Sequence, residues 1–392
     1  MKPQFTTPDA QFAIACLSQE LSPGKDEIIV PQDLDWDRFL AFLKKNRLAP
    51  HFAILAGKQK MLFPEEFRDR LKQERYPILL YGDQCQLQVR EVLSAFRNAE
   101  IQVIVLKGWA LIQWLYGGDF GQRFCEDIDI LVPLDAVKKA ESVLDSLGFE
   151  GLREIDPGFS SRLSNARAYQ KRDQSGMIYR PFTIGFHWGL THFPYYDKDR
   201  VNTAELFERS IPLTVAGVDV AELSHEDQVV YTCAHLALHH RIQENLLNYF
   251  EIAALIKRAG AVFNWKKAIE RAQHWNYFVQ LHQVLEEVDS IFSGVIPSAA
   301  LSEMRQIQVP WREKWIDRMV AGSKGNQFRS ALVELIALPG LGNKLRQTWL
   351  NLFPPREYMQ QRYNTDETNL AKLYWRRVWF ALLGFLRSNR RQ

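Results

Sequence analysis

The sequence predicts an α+β fold, a small mixed sheet flanked by N-terminal and C-terminal helical regions, and three observations predict it. Residues 9 to about 98 space their aliphatic side chains three and four apart, the period of a buried helix face. From residue 101 to about 190 the pattern changes to short apolar runs of strand length, interrupted by one clear helix. After Leu223 the helical spacing resumes. Alternating strand and helix followed by antiparallel strands implies a mixed α/β sheet. The expected regions are 1–98 helical, 99–220 the α/β core and 221–392 helical, an ordinary division for 392 residues.

Taken in order, Gln11 to Leu21, Asp35 to Lys45 and Pro64 to Arg97 read as helices, with turns at Ser22-Pro23-Gly24 and Ala56-Gly57. Ile101 to Leu106 reads as a strand that ends in Lys107-Gly108, and Trp109 to Tyr116 as the helix after it. Residues 125 to 132, Cys-Glu-Asp-Ile-Asp-Ile-Leu-Val, form a second strand closed by Pro133. Asp135 to Leu147 is the clear helix. Ala166 to Arg172 and Met177 to Trp188 are strand-like runs around the turn-rich Asp173-Gln174-Ser175-Gly176. Ser224-x-x-Asp227 opens the later helices as a near capping box, with Asp in place of the preferred Glu. Those helices break at Gly260, Pro297, Pro310, Pro339-Gly340 and Pro354-Pro355.

Apolar content of 46% and charged content of 24% are those of a globular protein. The net charge of +3 gives no general attraction to nucleic acid or membrane. From residue 343 onward ten Lys and Arg stand against three acids, so the basic character is concentrated in the tail. Cys16, Cys85, Cys125 and Cys233 have no paired spacing, which fits reduced thiols. The polar N-terminus has no signal-peptide pattern and no apolar run reaches membrane-spanning length, so the expected location is cytoplasmic.

The chemistry is concentrated in the second strand. Successive strand side chains alternate faces, so Asp127 and Asp129 point one way while Ile128 and Ile130 point into a core. Two close carboxylates repel each other, and a divalent cation removes that repulsion. Mg²⁺ suits such oxygen ligands and keeps coordination sites for water and substrate phosphates. Upstream, the glycine between strand and helix at Lys107-Gly108 lets a phosphate approach the N–H groups at the helix start.

Strand, Lys107-Gly108, helix, then Arg123-x-x-x-Asp127-x-Asp129-x-Leu131-Val132 resembles the signature of the uncharacterised bacterial nucleotidyltransferase family, within the DNA-polymerase-β-like nucleotidyltransferase superfamily. The resemblance extends to Leu147-Gly148-Phe149, His187-Trp188, Ser224 to Asp227 with His235 and His239, and Leu352 to Tyr358 with Arg362-Tyr363. It implies Mg²⁺-dependent transfer of a nucleoside monophosphate from a nucleoside triphosphate such as ATP to an acceptor, with release of pyrophosphate. Asp127 and Asp129 would hold one or two Mg²⁺ ions and carry catalysis by positioning and charge stabilisation. Lys107 and Gly108 would cradle the triphosphate, although Trp109 follows where the wider superfamily usually has Ser or a second Gly. Arg123 would pair with a phosphate or with Glu126.

The third carboxylate of the resemblance falls on Gly185, in Thr183-Ile184-Gly185-Phe186-His187-Trp188. That acid would serve as general base or complete the metal site. Its absence motivates the alternative of a catalytically degenerate nucleotide-binding or scaffold protein, and an acid restored at 185 would be expected to tighten Mg²⁺ binding. His187 shares its strand face with Gly185 and either lines the pocket or packs as a strand histidine. His235 and His239 have a ligand spacing but no completing carboxylate or cysteine, so they read as structural or acceptor-binding. Gly322-Ser323-Lys324-Gly325 lacks the full spacing of a phosphate loop and reads as a linker.

The acceptor is expected to be a small molecule, a sugar or a protein rather than nucleic acid, because the core has no clustering of Arg with aromatics. Leu370 to Arg387 mixes Tyr374, Phe380 and Phe385 with Arg376, Arg377 and Arg387. It reads as a docked terminal helix, or as a weak contact with a membrane surface.

Overall fold

The computed structural model describes residues 5–24, 28–59, 61–151, 166–171, 182–190, 201–240, 245–322 and, with short gaps, 335–379. The turn at residues 173–176, the start of the strand-like run from 177, the glycine-flanked stretch 323–325, parts of the 352–363 motif and the terminal helix beyond 379 lie outside the described residues.

The N-terminal helices are α1 (Pro8–Leu21), α2 (Trp36–Lys45), α3 (Ala49–Lys58) and the 34-residue α4 (Glu65–Asn98). Asp35 caps α2, its side chain accepting from the Arg38 N–H at 2.8 Å. These helices do not close a core of their own. Phe12, Phe39, Phe52 and Phe67 join residues of the later helices, including Tyr249, Phe278 and Leu285, in one continuous apolar core. The later helices are α8 (His225–His235), α9 (Leu246–Ala259), α10 (Trp265–His274), α11 (Phe278–Ile291), α12 (Ser298–Gln306), α13 (Trp311–Gly322) and α14 (Leu341–Leu352).

Between these two helical stretches of chain lies a seven-stranded mixed sheet. Its elements are β1 (Ile104–Leu106), α5 (Lys107–Tyr116), β2 (Asp127–Leu131), α6 (Val137–Ser146), β3 (Phe149–Gly151), β4 (Ala166–Lys171), β5 (Thr183–His187), α7 (Thr203–Glu208), β6 (Ile211–Val215) and β7 (Val218–Glu222). The spatial order is β3-β4-β5-β2-β1-β7-β6. β2 is antiparallel to β1 and parallel to β5, and β1 is parallel to β7. The fold class read from the sequence is the one observed.

The β6–β7 hairpin and the short β3 are not expected from the sequence pattern. Ala216 and Gly217 both have positive φ, 50° and 78°, the requirement of a tight two-residue hairpin turn. Pro212 is compatible with β6 because that strand is at the sheet edge, where no ladder donor is needed.

The two faces of the sheet meet different layers. Ile128 and Ile130 of β2 and Val105 of β1 pack with Trp109, Val89, Phe96 and Leu144 in a second core. Ile104, Leu106 and Leu131 face the other way and belong to the large helical core. Asp127 and Asp129 share the face of Leu131, so alternation alone directs both carboxylates toward α8 and α9. No helix among the described residues is long and apolar enough to cross a membrane.

Candidate functional site

The register of β2 on β5 sets Asp127 beside Thr183, Asp129 beside Gly185 and Leu131 beside His187. Side chains of paired residues share a face, so Asp127, Asp129, Gly185 and His187 come to one patch. On the other side of β2, Leu106 pairs with Asp129, which places Lys107 at the head of the same carboxylate. Lys107 Nζ lies 3.0 Å from Asp129 Oδ2, and His187 Nε2 lies 2.7 Å from Asp129 Oδ1. A carboxylate only accepts, so the imidazole donates from Nε2.

Lys107 opens α5 with φ +50°, a left-handed conformation costly for a residue with a side chain. Such a turn persists where its surroundings over-determine it, and here the ion pair with Asp129 and the Tyr231 ring, whose centroid is 5.7 Å from Nζ, hold the lysine. Gly108 is required for a different reason than phosphate approach alone. A Cβ there would lie 2.6 Å from Cys125 Sγ and 2.7 Å from the Arg123 guanidinium. Trp109 turns into the second core, its ring 4.4 Å from that of Phe120, which explains how a large residue fits directly after the glycine.

The two aspartates are driven apart electrostatically. Burial pushes the Asp129 carboxyl up, but the Lys107 charge and the His187 hydrogen bond outweigh it and hold the group below the usual carboxylate range. Asp127 has no ion pair among the described residues; burial and the neighbouring Asp129 push its carboxyl up to about 6. Its side chain is nonetheless open to solvent on the cleft side. His187 is buried, and desolvation holds it below the ordinary histidine value against the opposing pull of Asp129, so it is neutral near pH 7. Carboxyls with such divergent environments are a common mark of acid–base or ligand chemistry.

Arg123 pairs with neither Glu126 nor a phosphate-facing group but turns toward α9. Its guanidinium pairs with Glu251 of α9, with Nη2 3.2 Å from Oε2 and a shorter contact from Nε to Oε1. Glu251 is buried and also accepts from the Tyr116 hydroxyl at 3.1 Å. This pair bolts the β2 approach to α9. Ser224 and Asp227 of the downstream helix are likewise structural. Ser224 caps α8 by accepting from the Asp227 N–H, and the fully buried Asp227 pairs with Arg209 and with Arg271, the latter at 2.7 Å.

These elements enclose a cleft of about 450 Å³. Lys107, Gly108, Arg123, Asp127 and Asp129 line its core side. Thr232 and His235 of α8, Asn248 and Glu251 of α9, and Arg47 from the α2–α3 turn line the rest. His235 is thus on the cleft, while the His239 side chain lies outside the described positions. The chain beyond α8 changes to a π-helical turn at Leu236–His240, a feature frequent beside functional sites. Arg47, Tyr231 and Glu251 carry no local motif, and their separation from β2 in sequence hides them from pattern reading.

Among the described residues no group of three or more His, Cys, Asp and Glu is arranged to hold a metal. What the chain offers a divalent cation here is two carboxylates on one strand face, with the remaining coordination left to other ligands. Asp127 offers an uncommitted carboxylate, Asp129 keeps lone pairs beyond its two contacts, and Mg²⁺ ordinarily takes its other ligands from water and phosphate oxygens. The position expected for a third acid is closed, since a Cβ on Gly185 would be 2.1 Å from Asp129 Oδ1.

A family described as "Uncharacterised nucleotidyltransferase" matches residues 32–293. No curated protein matches the chain. Among solved structures, the solution structure of the antibiotic-resistance factor ANT(2'')-Ia is 14% identical, covering 52% of this chain and 96% of that one at a TM-score of 0.34. The same factor in complex with adenylyl-2''-tobramycin is 16% identical over 49% of this chain and 97% of that one, with a TM-score of 0.33. An antigenic nucleotidyltransferase-like protein from Paracoccidioides brasiliensis is 17% identical over 56% and 97%, with a TM-score of 0.37.

Proposed function

The chain belongs to the uncharacterised nucleotidyltransferase family, and on that premise we propose that its cleft moves a nucleoside monophosphate from a nucleoside triphosphate to a hydroxyl-bearing acceptor. The observation that carries this reading is the pair Asp127 and Asp129 on one face of β2, opening on a cleft beside the Lys107-Gly108 turn. Asp127 and Asp129 would hold one Mg²⁺ ion. When bound, the ion would neutralise charge on the phosphates and on the two carboxylates.

The chain's own residues supply the rest. In the reaction the acceptor oxygen bonds to the α-phosphorus, the bond to the β-phosphate oxygen breaks and pyrophosphate leaves. The hydroxyl proton passes to solvent water, since Asp127 and Asp129 are both taken up by the ion and Gly185 supplies no third carboxylate to accept it. The α5 start at Lys107-Gly108 would present backbone N–H groups to a phosphate, while the Lys107 ammonium stays with Asp129. Arg123 acts through position: its pairing with Glu251 fixes the loop that leads into β2. The acceptor we favour is a small-molecule, sugar or protein hydroxyl rather than a nucleic acid, because the core sequence has no clustering of Arg with aromatics.

A second reading, nucleotide binding without transfer, is favoured by one observation: Asp129 is already committed to Lys107 and His187, and Gly185 supplies no third carboxylate. Incubation with α-labelled nucleoside triphosphates, Mg²⁺ and cell extract separates the two. Label transfer that disappears in Asp127→Ala and Asp129→Ala supports the enzyme. Mg²⁺-dependent nucleotide binding without transfer supports the second reading.

A further inference from the structure

Among the described residues three Lys and Arg side chains line the cleft, and they are not equivalent. Lys107 spends its charge on Asp129 and Arg123 spends its charge on Glu251. Arg47 has no ion pair among the described residues and is exposed at the cleft wall. Among the described residues, a triphosphate brought to this cleft therefore finds one uncommitted Lys or Arg, and it comes from the N-terminal helices rather than from the sheet.

The backbone of Arg47 is built to hold it there. Its φ is +59°, a left-handed conformation unfavourable for arginine. The residue before it, Asn46, is 4% exposed and fixes the turn from both sides. Asn46 Nδ2 donates to the Phe42 carbonyl at 2.9 Å, and its Oδ1 accepts from the Leu246 N–H at 3.0 Å. Leu246 is the first residue of α9, whose Asn248 and Glu251 line the same cleft. One buried amide thus ties the α2–α3 turn to the helix that walls the site, and the strained residue beside it is the unpaired arginine. The family match begins at residue 32 and includes this turn.

We propose that Arg47 binds the β- and γ-phosphates of the nucleoside triphosphate. A guanidinium offers a planar fork of donors suited to two phosphate oxygens at once. In this arrangement Lys107 stays with Asp129 at the reacting end, and Arg47 neutralises charge on the departing pyrophosphate. The identity of the anion rests on the nucleotidyl-transfer reading; the existence of an anion site at Arg47 does not.

The test is calorimetric binding of inorganic tripolyphosphate, of each nucleoside triphosphate and of each nucleoside monophosphate to the full-length protein with Mg²⁺. Arg47→Ala is expected to weaken tripolyphosphate and triphosphate binding by about tenfold or more, with monophosphate binding unchanged and partial recovery in Arg47→Lys. Matching melting temperatures for wild type and both variants establish that the fold is retained. Triphosphate binding equal to wild type in Arg47→Ala overturns the proposal, as does an equal loss for monophosphates or a wild type that binds none of these anions. Arg47-dependent tripolyphosphate binding in a protein that transfers no nucleotide leaves this site standing and defeats the transfer reading. Nucleotide transfer with binding indifferent to Arg47 does the reverse.

Discussion

His187 Nε2 donates to Asp129 Oδ1 across 2.7 Å, and the carboxylate reaches that partner by lying over the α-carbon of Gly185. The glycine is therefore the space in which the Asp129–His187 contact sits. A Cβ at 185 would be 2.1 Å from Oδ1 and 3.1 Å from the imidazole.

Gly185→Ala should cost about 1–3 kcal/mol in urea unfolding, the range for forcing atoms into an occupied site. Gly185→Asp must also expel the Asp129 carboxylate before it can offer a ligand, so Mg²⁺ should raise its melting temperature no more than it raises that of wild type. This revises the expectation from sequence that an acid at 185 tightens the metal. A larger Mg²⁺ shift in Gly185→Asp would show that the three side chains fit together after all.

The His187 ring is held neutral, and the sign of its pH effect follows. A histidine lowered in the folded state is protonated first in the unfolded chain, so its stabilising effect is complete above about pH 6.5 and is lost as pH falls below that value. His187→Phe, which has no donor for Asp129, should flatten stability between pH 7 and 5 while lowering it at pH 7 by about 1.5–3 kcal/mol, the value of a hydrogen bond to a charged group. Urea midpoints at several pH values check both features; an unchanged pH slope would contradict the assignment.

Asp127 has the opposite sign. A carboxyl raised to about 6 penalises the folded state above that pH, and the penalty disappears below the unfolded value near pH 3.9. Asp127→Asn should therefore melt higher than wild type at pH 7.5 and equal to it near pH 3.5. The gain is on the order of 1 kcal/mol once solvent access to the side chain is discounted. Scanning calorimetry at the two pH values reads it, and a variant less stable at pH 7.5 would refute the unpaired state of Asp127.

Arg123 and Glu251 form the tie between the β2 approach and α9. Removing one partner of a buried pair leaves an uncompensated charge, so Glu251→Gln or Arg123→Met should each cost about 3–5 kcal/mol. The double variant should cost less than the sum of the two. A double-mutant cycle in urea with no coupling would indicate that Arg123 is available to substrate rather than committed to the scaffold.

What could be read from the sequence was local. β2 was legible because alternation over Asp127 to Leu131 separates two carboxylates from two isoleucines, and α2 because Asp35 supplies a cap before an apolar stripe. The β6–β7 hairpin was not, since Ala216-Gly217 lacks the Asn-Gly or Asp-Gly signal that usually marks such a turn. The site's partners were hidden for another reason. Arg123 meets Glu251 across 128 positions of sequence, and Leu246 meets Asn46 across 200. No periodicity encodes contacts of that span; they follow from the shared helical core that folds the N-terminal helices against α8 and α9.

In the proposed reaction this cleft cleaves a triphosphate between its α- and β-phosphates. Parallel incubations with nucleoside triphosphates labelled at the α- or the γ-phosphate, with Mg²⁺ and cell extract, test it most directly. Nucleotidyl transfer puts α-label on an acceptor and γ-label in pyrophosphate, both lost in Asp127→Asn. Transfer of the γ-label to the acceptor, or pyrophosphate release undiminished in Asp127→Asn, would contradict it.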